Sequence, residues 1–107
     1  MLEAISEIER IIGPRSLGEI SIEKDLQPAI FFYFVVLGEA ASTLSPELKD
    51  KFGDVEWSRI SAMRNFLVHM YHRIDIEIVW NTAKRNLPAL RARIEQILKE
   101  ITGHRST

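Results

Sequence analysis

A chain of 107 residues makes one domain, large enough for a single core and too small for two. Apolar residues at 46% and charged residues at 27% are the proportions of an ordinary soluble globule. The absence of cysteine excludes a disulfide framework, a thiolate metal centre and a cysteine nucleophile.

Leu2, Ile5, Ile8 and Ile12 recur at helical spacing, and Gly13-Pro14 ends that first helix. Glu3, Glu7 and Glu9 make it amphipathic, which is not the pattern of a signal peptide. Ser16 to Glu23 fits either a short helical turn or a loop. A long helix is expected from about Asp25 to Leu44, with Pro28 accommodated in its first turn. Its stretch Ala29 to Leu37 is apolar on every side, which implies burial all round. At nine residues that run is too short to span a bilayer, so a cytoplasmic protein with no membrane contact is expected. In so small a domain the helix is either wrapped by the short helices or covered on one face by a second copy, and a homodimer is the simpler expectation.

Ser45-Pro46 is a cap followed by proline at the first helical position, and Gly53 closes the short helix that it opens. A further helix is expected from about Glu56 to Tyr71, with Ile60, Met63, Leu67 and Met70 as its core stripe. Asp75 can cap the next helix, whose inward face would be Ile76, Val79, Trp80 and Ala83. Asn86 and Pro88 mark a new cap and first turn, or else a kink. Leu87, Leu90, Ile94, Ile97 and Ile101 then form a packing stripe that Gly103 ends. No strand pattern or repeat is present. The fold class predicted is all-α, a small up-and-down helical bundle spanning residues 1–102 with a flexible tail at 103–107.

The stretch Met63 to Asp75 concentrates the reactive side chains: two of three histidines, one of two tyrosines and two arginines. Histidine exchanges protons near neutrality, and arginine presents a planar fork of donors that matches phosphate oxygens. An arginine and a histidine converging on one phosphodiester suffice for RNA cleavage without a metal. The same residue types also fit a plain structural role, with a solvated histidine and with Arg64 paired to a nearby carboxylate. His69 and His72 alone make too thin a site for a metal, and no glycine-rich phosphate loop is present. Residues 1–53 carry five basic and nine acidic residues, a charge of −4, and residues 54–107 carry nine and six, a charge of +3. The basic half holds the motif, as RNA contact would want, although uneven helix faces give the same sums.

Arg64, Asn65, His69 and Tyr71 together resemble the arginine-x-x-x-x-histidine-x-tyrosine signature of the HEPN domains (higher eukaryotes and prokaryotes nucleotide-binding), and more closely the HepT toxins of MNT–HEPN toxin-antitoxin modules. The segments Leu37 to Leu48, Trp57 to Asn65 and Ile74 to Leu90 are similar to HepT segments in the same order. Where many relatives carry polar residues before Gly-Glu-Ala-Ala, this chain has Phe32, Tyr33, Phe34 and Val35. The resemblance implies a HEPN-like dimer acting as a metal-independent ribonuclease toxin, with Arg64, His69 and Asn65 as its catalytic residues. His72 and Arg73 are further candidates for RNA contact, and no cofactor or metal is implied. It also implies an MNT nucleotidyltransferase antitoxin that transfers AMP onto Tyr71. The alternative is a non-catalytic HEPN-type dimer that binds nucleic acid, nucleotide or a protein partner.

Overall fold

The computed structural model describes residues 1–70 and 73–105, with side chains to Thr102. Seven α-helices and no strand occur among the described residues, so the chain is an all-α bundle. The first helix, α1 (Leu2–Ile12), buries Ile5, Ile8, Ile11 and Ile12 along the stripe that the sequence predicts. Ser16 sets the form of the next segment. Its hydroxyl accepts from the Glu19 amide while the Glu19 carboxylate accepts from the Ser16 amide, a reciprocal cap that makes α2 (Leu17–Ile22) a helix rather than a loop.

A 3-10 turn at Lys24–Leu26 leads into α3 (Gln27–Thr43), where Pro28 falls in the first turn and so removes no bond within the helix. Lys24–Thr43 together form twenty residues, long and apolar enough to cross a membrane by length and composition, well beyond the nine-residue run noted in the sequence. Here that segment is the centre of the bundle. Ile30, Phe31, Phe34, Leu37 and Ala41 are buried, and α3 packs on α1 along one side. The short helices do not wrap it completely, because Phe32 is 59% exposed and Val36 38%.

Ser45 caps α4 (Pro46–Lys51) by accepting from the Leu48 amide. The motif helix α5 (Trp57–His69) packs chiefly on α3 and ends two residues before the expected Tyr71. The helical period therefore stops short of Met70, which is exposed rather than part of the core stripe; Leu67 is buried, with Ile60 and Met63 half-buried. Asp75 caps α6 (Ile76–Arg85) through the Glu77 amide, and Val79 and Ala83 are buried while Ile76 and Trp80 are half-buried. Only Asn86 separates α6 from α7 (Leu87–Arg105), so of the two expected alternatives a new helix begins here, with Pro88 in its first turn, where the missing amide removes no bond within the helix. The helix α7 continues through Gly103, a residue that costs about 1 kcal/mol in a helix and does not forbid one.

Two apolar clusters result. The larger joins α1, α2, α3, α5, α6 and the start of α7; the smaller joins Ala41, Phe52, Val55, Trp57 and Ile97. Arg91 ties α7 to α1 by donating to Glu9 at 2.6 Å and to Ser6 at 2.7 Å. The molecule measures 51 × 28 × 18 Å, a slab only about two helices thick, since a helix with its side chains is about 10–12 Å across. That thinness leaves one side of the α3–α5 pair open.

Candidate active site

The start of α5 is fixed by Trp57, which is buried and donates its indole N–H to the Phe52 carbonyl at 3.1 Å. Leu67, 1% exposed, fixes the far half against the core. Between these anchors α5 meets α3 at close range. Gly38 lies against Arg64, and one turn along the Ser42 and Ser61 hydroxyls meet at 3.0 Å. The two helices thus run antiparallel with their register set at two points.

This register positions Arg64. Its Nη1 donates to the Glu39 carboxylate of α3 at 2.5 Å, its side chain is 27% exposed, and its Nε is buried without a hydrogen bond. The carboxylate pairing foreseen as the plain structural role is therefore present, and Glu39 is the residue that sequence reasoning left unnamed. Its only signal was the Gly38-Glu39 pair inside a segment 25 residues away.

Asn65 and His69 are exposed, and neither side chain hydrogen-bonds to any described residue. Four residues apart, they share one face of α5 with Val68 beside them, itself 55% exposed. Arg64 and His69, five apart, are separated by about 140° around the helix and about 7.5 Å along it. One α5 therefore offers the arginine and the histidine on adjoining faces and does not aim both at one point. Arg73 is exposed just beyond the helix, with its amide bonded to the Met70 carbonyl. Tyr71 and His72 lie outside the described residues. Among the described residues no group of three potential metal ligands occurs.

A hollow of about 640 Å³ opens on the other flank of α5, facing α6 and α7. Phe34, Leu37, Met63, Phe66 and Leu90 line it, and the Asp54–Arg93 ion pair stands at its rim. Arg64, Asn65 and His69 do not touch it. Asn65 and His69 lie on open surface, with Arg64 half-buried beside them.

Comparison with known proteins places the chain in a family. The family described as "Ribonuclease HepT-like" matches residues 1–97. A protein of Methanocaldococcus jannaschii named gamma-glutamylcyclotransferase and putative RNase is 26% identical over 106 residues; the match covers 99% of this chain, which spans about half of that relative, 48%. "Probable ribonuclease HepT" of Thermococcus cleftensis is 27% identical over 97 residues, covering 91% of this chain and 88% of that one. A putative RNase of Caldanaerobacter subterraneus subsp. tengcongensis is 32% identical over 93 residues, covering 87% and 82%. No solved structure gives a significant match. With the matched region covering nearly the whole bundle and all of α5, the chain belongs to the HepT-like ribonuclease family.

Proposed function

We propose that this protein is an endoribonuclease that cleaves RNA without a metal, acts as a homodimer and serves as the toxin of a type II toxin-antitoxin module. One observation carries the reading: in a chain of a ribonuclease family, Arg64 is held near the surface on one helix with Asn65 and His69, whose exposed side chains have no hydrogen-bond partner among the described residues. His69 would take the proton of the ribose 2′-hydroxyl as it attacks phosphorus, or return a proton to the leaving 5′-oxygen. Arg64 would stabilise the charge that grows on the phosphorus oxygens, and Asn65 would orient His69 or the substrate. Arg73 and His72 would be further contacts for the RNA backbone.

The dimer is supported by the side of the bundle left uncovered. Phe32, Val36 and Val68 are exposed, and helical spacing sets Phe32 and Val36 toward the Glu39 side of α3 and Val68 one turn from Arg64 on α5. A two-fold axis there would face one α5 with another, so that the arginine of one copy and the histidine of its partner share a cleft that one copy does not close. An MNT nucleotidyltransferase is the antitoxin in this reading. AMP transferred to Tyr71 would set negative phosphate beside the cleft, repel RNA and occupy Arg64. An RNA substrate also suits a cytoplasmic site of action.

The second reading, a helical dimer that binds nucleic acid, nucleotide or protein without cutting, is favoured by the Arg64–Glu39 pair, which by itself is an ordinary structural contact. Incubating total RNA with purified protein and chelator separates the two. Wild type should cleave, whereas His69→Ala and Arg64→Ala, each folded and of the same oligomeric state, should lose about 100-fold or more of the rate. Intact RNA after incubation with wild type free of Tyr71 modification favours the binding reading.

A further inference from the structure

The proposed cleavage gives Arg64 a task but does not say how its guanidinium is aimed. A free arginine samples many rotamers and loses that freedom when it acts. Here two constraints remove most of it. The Nε edge is buried and without a hydrogen bond, and Nη1 is held by one oxygen of Glu39 at 2.5 Å. The free part of the fork is therefore on the Nη side.

Comparison with a second arginine shows the edge this leaves open. Arg93 places Nε and Nη2 on the two oxygens of Asp54, at 2.7 and 3.0 Å, so its fork is occupied by a bidentate partner. Arg64 gives Glu39 a single Nη1 contact and keeps Nη2 out of the pair. A carboxylate that masked the arginine would be expected to take the fork as Asp54 does. One that steadies it needs only the contact observed.

The helix register makes that contact dependable. Gly38 lets α3 approach until a Cβ at that position would lie 2.3 Å from the Arg64 Cβ, and the Ser42–Ser61 pair adds a second contact one turn along. Glu39, next to Gly38, is thereby delivered to Arg64 by backbone geometry. Its own side chain is 55% exposed, so it stands at the surface where RNA would lie.

We propose that Glu39 is a positioning residue of the site: its carboxylate holds the Arg64 guanidinium so that the free Nη2 edge faces the scissile phosphate. This rests on the ribonuclease reading above. Misplacement by about 1 Å can cost on the order of 100-fold in rate, so the expected loss is of that kind.

Cleavage kinetics for wild type, Glu39→Ala and Glu39→Gln, joined to nitrogen NMR of the Arg64 side chain, test it. In E39A, kcat should fall about 10- to 100-fold with KM changed by much less. The E39Q amide oxygen still accepts from Nη1, so this variant should recover most of kcat. A purely structural contact would move the melting temperature and leave kcat of the folded protein unchanged. The Arg64 Nη signals should be separate in wild type and E39Q, and averaged in E39A. Wild-type kcat or faster cleavage in E39A overturns the proposal, as do averaged Arg64 signals in wild type. A wild type that leaves RNA intact overturns the ribonuclease reading and this role with it; NMR signals separate in wild type and averaged in E39A would then show Glu39 to be a clamp without a catalytic task.

Discussion

A methyl group on Gly38 would lie 2.3 Å from the Cβ of Arg64 and 3.1 Å from the Ile60 carbonyl oxygen. Alanine would normally help an interior helical position by about 1 kcal/mol over glycine. Here neither obstructing atom is the end of a flexible side chain, so α3 and α5 must part. Overpacking of this kind costs about 1–3 kcal/mol, more than the propensity gain. Gly38→Ala should therefore lower the urea midpoint at an unchanged slope, and should disturb the Glu39–Arg64 contact. A midpoint equal to that of wild type would mean that the two helices separate freely.

The features legible in the residues were mostly local. The isoleucine period of α1, the Gly13-Pro14 stop, Pro28 in the first turn of α3 and the Asp75 cap each arise from chemistry within a few residues. Capping also settles α2, where the Ser16–Glu19 pair makes a helix of a segment whose pattern alone fits a loop equally well. The site divides along the same line. Arg64, Asn65 and His69 fall on one helix as their spacing requires, but Glu39 reaches Arg64 across 25 residues, and no periodicity fixes the register of one helix against another. Met70 failed for a related reason: its place in the stripe assumed a helix that in fact ends at His69.

Leu67 is the buried anchor of the motif helix, 1% exposed against the main core. Because α5 packs chiefly on α3, few other contacts compensate for its loss. Leu67→Ala should cost about 2–5 kcal/mol in chemical denaturation. Amides of α5 should also exchange faster than those of α1, as expected if the motif helix opens before the rest of the bundle. Uniform acceleration through the bundle would count against that order.

Phe32, 59% exposed, and Val68, 55% exposed, are large apolar groups on the open side of the slab. Covering such a side chain is worth about 1.5–3 kcal/mol, and each 1.4 kcal/mol is tenfold in affinity. Replacing Phe32 and Val68 together with lysine should weaken self-association by at least about 100-fold and leave each copy folded. Sedimentation velocity across a concentration series reads this directly. A dimer that persists in the double variant would place the two-fold contact elsewhere, with the hollow beside α6 and α7 as the next surface to alter.

Asp54 precedes α5 and accepts from Arg93 of α7 through both carboxylate oxygens, at 2.7 and 3.0 Å. That hydrogen bonding, chiefly, holds its carboxyl below the usual aspartate range and raises the arginine in turn. Folding therefore favours the ionised carboxylate. The stabilisation is complete above the unfolded value, about 3.9, and is lost as pH falls through the depressed native value. The group is exposed, so the effect is modest and screened by salt. Asp54→Asn should lower the urea midpoint at pH 7 and pH 5 by equal amounts, with the gap to wild type closing as pH falls below the unfolded value, about 3.9. Added salt should narrow the gap at neutral pH. A gap that stays constant as pH falls through the acid range would mean that Asp54 supports the α5 entry through its shape and hydrogen bonds, with its charge irrelevant.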